Sequence, residues 1–180
     1  MKKAQKEPSI EKMTLWLTGR PCAGKSTIAL RLKEEMKKRG YRTVHIDGDD
    51  VRGKLNADLG FSDKDRKENL RRVAHVMQLF NENGSFVIAT FVSPTNDLRE
   101  MVRGIIGNFK LCYIRCSPEL CESRDVKGMY KKARAGQIKE FTGVSAPFEE
   151  PLWADITVDT ERNNLDDCIR HILRELHVER

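Results

Sequence analysis

A chain of 180 residues with 39% hydrophobic and 33% charged content has the length and composition of one soluble domain with a sizeable core. No apolar run approaches the roughly 20 residues of a membrane span, and the five cysteines include no C-x-x-C pair that would suggest zinc. The formal net charge of +6 comes without a nucleic-acid-binding motif, so small anionic ligands are the expected reason for the basic balance. Free cysteines acting as small core residues fit a reducing cytoplasm.

Residues 1–12 are polar, lack the apolar core of a signal peptide, and read as a loose lead-in to a single domain over 13–180. Residues 13–18 predict a short buried strand. Directly after it, Gly19-Arg20-Pro21-Cys22-Ala23-Gly24-Lys25-Ser26 matches G-x-x-x-x-G-K-[ST], and Thr27 to Lys38 predict a helix with Ile28, Ala29, Leu32 and Met36 on one side. Strand, glycine loop and helix together define a phosphate-binding P-loop. Backbone N–H groups close around phosphate oxygens at the positive end of a helix dipole. ATP is the expected cofactor, held by residues 19–27, with Lys25 on the β- and γ-phosphates and the Ser26 hydroxyl on Mg²⁺.

Residues 43–46 predict a second strand, ending in Asp47-Gly48-Asp49-Asp50. Carboxylates at a strand's C-terminal end stand where open α/β sheets bind ligands. Asp49 is the candidate metal carboxylate, paired with Ser26, and the group that accepts a proton from, or orients, an attacking hydroxyl. Asp47 is placed one layer further from the metal. Residues 51–61 read as a loop. Ser62 with Asp65 resembles a capping box, and the helix it opens carries Leu70, Val73, Met77 and Phe80 on one face. Arg52, Arg66, Arg71 and Arg72 surround this loop, and their forks match phosphate or sulfate oxygens. Phe61 suits either core packing or stacking on a base.

The apolar run 86–92 predicts a central parallel strand, ending at Ser93-Pro94. A helix over 97–106, a strand over 111–115 and a helix opened by Ser117-Pro118 follow. Residues 127–139 hold Lys127, Lys131, Lys132, Arg134 and Lys139 and no acid. They read as a mobile cationic lid, or as a basic solvated helix. Residues 155–158 are the last strand, and the final helix carries Leu165, Cys168, Ile169, Ile172 and Leu176. Strands alternating with helices predict an α/β three-layer sandwich of the P-loop NTPase type, with five parallel strands. The P-loop, Asp47 to Asp50, Ser93 and the lid should meet at one edge of the sheet.

Over residues 15–160 the chain resembles the adenylylsulfate kinase family. The resemblance rests on the P-loop, on His45 to Arg52, on Leu55-Asn56 through Ser62, on Asp65 to Arg72, on Phe91-Val92-Ser93-Pro94, and on Arg124 to Gly136 running on to Phe141-Thr142-Gly143. It implies ATP- and Mg²⁺-dependent phosphorylation of the 3′-hydroxyl of adenosine 5′-phosphosulfate (APS), giving PAPS and ADP, by an enzyme expected to be a homodimer. It also implies that Asp47, Asp49, Asp50, Val51 and Arg52 contact the nucleotide substrate. Phe61, Arg66 and Asn69, with their neighbours Lys67 and Glu68, would hold APS, with Phe61 and Phe141 against its adenine. Val92, Ser93, Lys127 and Glu140 would line the same pocket under a lid spanning about 124–145. The family's serine at position 93 has been described as a phosphoserine intermediate. Direct in-line transfer needs only the P-loop, Mg²⁺ and an oriented hydroxyl, so Ser93 is read as a pocket residue grouped with the catalytic set of Lys25 and Asp49.

The sequence departs from the family at Arg20, Pro21 and Cys22, at Asp50, at Thr95-Asn96, and at Phe148 and Leu152-Trp153, which bears on substrate affinity and regulation. The alternative reading is a related P-loop kinase acting on another nucleotide-linked or sugar hydroxyl.

Overall fold

A computed structural model describes residues 10–178, so most of the polar lead-in lies outside the described residues. Five strands form one sheet in the order β2-β3-β1-β4-β5, every ladder parallel. They are β1 Thr14–Thr18, β2 Thr43–Asp47, β3 Phe86–Thr90, β4 Phe109–Arg115 and β5 Ile156–Asp159. Position in the sheet follows the apolar pattern. β1 and β3 are wholly buried, their apolar residues ending in threonine at the C-terminal edge of the sheet. The edge strand β5 alternates buried Ile156 and Val158 with outward threonine and aspartate.

Parallel neighbours require crossovers, and helices supply them. Alternate residues of β1 point to opposite faces. Leu15 and Leu17 join a core with Ile28, Leu32 and Met36 of α1 (Lys25–Lys38) and Ile169 and Ile172 of α7 (Leu165–Glu175). Trp16 faces the other core, with Val73 and Met77 of α3 (Asp63–Glu82) and Val102 of α4 (Asn96–Ile106). No helix among the described residues is long and apolar enough to cross a membrane.

The expected helix starts hold. The Ser62 hydroxyl accepts from Asp65 N at 3.2 Å, and Ser117 caps α5 (Pro118–Ser123) by accepting from Leu120 N at 3.4 Å. One expectation is corrected: residues 51–61 are not all loop. A short helix, α2 (Gly48–Gly53), starts directly after β2, because the Asp47 side chain accepts from Asp49 N at 2.9 Å and caps it. Within the basic stretch 127–139 the chain forms one short helix, α6 (Met129–Arg134). The five cysteines are free; four are buried core residues and Cys22 is half-buried in the P-loop.

Candidate active site

The P-loop packs against β4 so closely that a Cβ on Gly19 would lie 2.6 Å from Ile114 O. Gly24, at φ 99°, turns the chain into α1 through a conformation that disfavours other residues. Lys25 curls back over the loop, donating to Gly19 O at 2.9 Å and Arg20 O at 2.7 Å. Desolvation there pushes its pKa down to about 8.

Ser26 at the start of α1 meets a carboxylate, and it is Asp47: Oγ donates to Asp47 Oδ2 at 2.9 Å. The pairing expected with Asp49 is corrected. Asp47 ends β2 in register with Thr90 of β3, so its carboxylate stays at the sheet edge. The chain then turns into α2 and carries Asp49 outward. Its side chain, 82% exposed, pairs with Lys127 Nζ at 2.8 Å across the cleft. Thr90 Oγ1 donates to Asp47 Oδ2 at 2.6 Å, which spends the hydroxyl proton. His45 Nε2, 3.1 Å from that oxygen, must therefore carry the hydrogen that Thr90 accepts. Burial pushes the Asp47 carboxyl up, but the hydrogen bonds from Thr90, the Asp49 amide and Ser26 outweigh it and leave the pKa below its ordinary value. Burial likewise holds the His45 pKa below its usual value, against the pull of Asp47.

On the opposite side of the cleft, Phe61 is 55% exposed, so it is not a core residue. The Arg52 guanidinium lies 4.4 Å and that of Arg66 5.8 Å from its ring centre. Arg52 donates to Gly60 O at 2.6 Å. Arg66 donates to Phe61 O at 2.8 Å, to Thr142 Oγ1 at 3.3 Å and to Glu140 O, so Glu140 enters through its carbonyl. Phe141 stands edge-on to Tyr130 at 5.0 Å, and the Tyr130 hydroxyl donates to Pro21 O at 3.1 Å, tying α6 to the P-loop.

Several expected site residues do other things. Arg71 and Arg72 both bond Glu68, and Arg72 also grips Asp58 at 2.9 and 3.0 Å. These four form an ion cluster between α3 and the loop before it, in which both guanidiniums are engaged. Lys67 stands in solvent on the same helix. Asn69 is buried and accepts from Asn56 Nδ2 at 2.9 Å, pinning the loop before α3. Asp50 faces Lys54 at 3.6 Å on the outside of α2, and Val51 is a core residue. Val92 contributes its carbonyl to Thr18 Oγ1 at 2.7 Å.

Ser93 is 2% exposed with φ 37°. Its hydroxyl accepts from Trp16 Nε1 at 3.0 Å and donates to Thr18 Oγ1 at 2.9 Å. With its proton committed to a buried partner, it is built to hold the turn after β3 rather than to attack a phosphate. That turn depends on Arg99, a residue not picked out from the sequence. Arg99 is 1% exposed and donates to Ser93 O at 3.0 Å, Pro94 O at 3.2 Å, Asn96 Oδ1 at 2.8 Å and Glu149 O. The available signal was a cation on the apolar face of α4, beside Val102 and Ile106. His45 and Thr90 were missed as well, since neither carries a motif of its own.

A parallel sheet whose first strand runs through a glycine loop into a helix, with a buried-edge lysine, a Ser–Asp pair and a basic segment across the cleft, defines a P-loop kinase. Comparison narrows this. The family model for adenylylsulphate kinase matches residues 11–159. A probable adenylyl-sulfate kinase of Bacillus subtilis is 45% identical over 161 residues, covering 88% of this chain and 82% of the relative. The adenylyl-sulfate kinase of Bacteroides thetaiotaomicron is 47% identical over 161 residues, covering 88% and 80%. The solved structure of the Mycobacterium tuberculosis APS kinase CysC in complex with AMPPNP and APS superposes with a TM-score of 0.89 at 35% identity, covering 92% of this chain and 97% of that one. The chain belongs to the adenylylsulphate kinase family.

Proposed function

We propose that this chain transfers the γ-phosphoryl group of ATP to the 3′-hydroxyl of adenosine 5′-phosphosulfate, giving PAPS and ADP. The observation that carries the choice of acceptor is the exposed Phe61 ring under the Arg52 and Arg66 guanidiniums. An aromatic face suits a purine, and paired guanidiniums suit phosphosulfate oxygens.

The loop amides and Lys25 hold the donor's phosphates in this reading, and Lys25 offsets charge on the transferring group. Ser26 Oγ and the Asp47 carboxylate, 2.9 Å apart, are hard oxygen donors of the kind Mg²⁺ takes together with phosphate oxygens. Mg²⁺ held by these two residues would supply neutralisation of the charge on the donor phosphates. Thr90 and His45 hold the Asp47 carboxylate in place. Asp49, released from Lys127, orients the acceptor hydroxyl and accepts its proton. The basic stretch inside residues 124–145 closes over the paired nucleotides and excludes water. We read the working enzyme as a cytoplasmic homodimer, which fractionation and sedimentation check.

The test is product identity. Purified protein with ATP–Mg²⁺ and a panel of acceptors should place phosphate at the 3′ position of APS, read by mass spectrometry and NMR. Efficient transfer to a sugar or another nucleotide, with none to APS, favours the related P-loop kinase instead.

A further inference from the structure

Arg20, the second residue of the P-loop motif, divides its service between the two sides of the cleft. Its carbonyl accepts from Lys25 Nζ at 2.7 Å on the donor side. Its side chain runs the other way, and its guanidinium lies 5.0 Å from the centre of the Phe148 ring. Arg99, beneath the Ser93 turn, approaches the same ring at 5.5 Å. The Arg20 fork passes so close to Gly143 that a Cβ there would sit 3.3 Å from Nη1. The residue before Gly143 is Thr142, whose hydroxyl accepts from Arg66 at 3.3 Å. Arg66 and Arg20 thus flank one turn of chain.

Between Arg20 and residues 143–148 lies a shallow, open recess of about 430 Å³. Four other cations at the cleft have oxygen partners: Lys25 bonds two loop carbonyls, Arg52 bonds Gly60 O, Arg66 bonds three oxygens and Lys127 bonds Asp49. Among the described residues the one partner of the Arg20 guanidinium is the Phe148 face, and the Arg20 side chain borders the recess. A half-buried fork held in orientation by a ring, with its donors unspent, is built for an anion.

We propose that Arg20 is an acceptor-binding residue: its guanidinium, held over Phe148, takes phosphate or sulfate oxygens of the acceptor nucleotide together with Arg52 and Arg66. The acceptor side is favoured over the donor because the recess wall is continuous with acceptor-side chain. Thr142 joins it to Arg66, and Glu149 N donates to Pro94 O at 2.8 Å beside Ser93. This rests on the acceptor reading given above.

Arg20→Met keeps the aliphatic stem against Phe148 and removes the fork, and Arg20→Lys keeps only a point charge. In steady-state assays the KM for APS should rise roughly 10- to 100-fold in Arg20→Met, the worth of a charge-assisted pair, and recover in part in Arg20→Lys. The KM for ATP and the melting temperature should stay at wild-type values. Calorimetric binding of AMP should weaken in parallel, while adenosine, which lacks the anion, should bind both proteins equally. A fall in kcat with an unchanged KM for APS would place Arg20 on the transferring phosphoryl group and overturn the assignment. Equal weakening of adenosine would place it on the base, and no change in any constant would leave it as ring packing; each overturns it too. If the wild-type protein does not use APS, the functional reading fails, and the AMP–adenosine comparison still reads Arg20 on its own.

Discussion

The two sides of the cleft are built differently. The donor side is set in backbone and sheet: the P-loop pressed on Ile114, Lys25 on two carbonyls, and Asp47 held by Ser26, Thr90 and an amide. The acceptor side is built from long side chains on short elements: Arg52 on α2, exposed Phe61, Arg66 reaching to Thr142, and Lys127 on exposed Asp49. A polar group locked by a parallel sheet and satisfied by several short bonds is preorganised without ligand. An exposed ion pair such as Asp49–Lys127 contributes little and opens cheaply. The donor half should therefore carry the rate, and the acceptor half affinity and closure.

Lys25→Ala attacks the rigid half most directly. It should lower kcat by about three orders of magnitude or more with the melting temperature retained, because electrostatic stabilisation dominates phosphoryl transfer. A folded Lys25→Ala protein with near-normal turnover would erase the contrast. Substituting the two aspartates separates the halves next. Asp47→Ala should raise the Mg²⁺ concentration needed for ADP binding, by roughly 10- to 100-fold. Asp49→Ala should leave that binding intact and depress kcat more than the KM for APS. Isothermal titration with ADP and Mg²⁺ reads the first, and initial rates read the second; the opposite assignment would restore Asp49 as the metal carboxylate.

Phe61→Ala tests the adaptable half. Losing a base-stacking ring costs about 1–3 kcal/mol and should appear mainly as a higher KM for APS. The pH dependence of kcat/KM for ATP gives a smaller effect. Lys25, pushed down to about 8, is charged below that pH and loses its proton above it, so kcat/KM should fall as pH rises through about 8. A profile flat to pH 9.5 would show that the Lys25 pKa is not lowered in the free enzyme. The finest discriminator is hydrogen exchange. Amides in 127–139 should gain protection only with both nucleotides present, while those of β1 and β3 are protected throughout. Equal exchange in 127–139 with and without ligands would mark it as a solvated helix.

How legible the site was depended on how far apart its parts lie in the chain. The P-loop spans eight residues, and its strand–loop–helix setting was readable because turn, phosphate cradle and helix start are all local. The Ser62 and Ser117 caps were readable for the same reason. Asp47 and Asp49 were not separable. They stand two residues apart at the end of β2, and only the Asp47–Thr90 register, joining residues 43 apart in sequence, decides which one stays at the sheet edge. Arg71 and Arg72 looked like anion forks by type. The i,i+3 and i,i+4 spacing to Glu68 was visible, but Asp58 on the preceding loop completed their neutralisation.

The amino-acid order alone determined the alternation of strands and helices, the phosphate loop and the excess of cations after residue 126, because these rest on periodicity, glycine conformations and charge along the chain. Only the tertiary structure decided which carboxylate meets Ser26, that Ser93 is a buried brace over Trp16 and Thr18 held from below by Arg99, and that Arg20 faces Phe148 and Gly143. Apart from the Arg99–Ser93 contact, which spans six residues, each of these joins segments tens of residues apart. A side chain's partner across such a separation is set by strand register and helix packing, which no local pattern encodes.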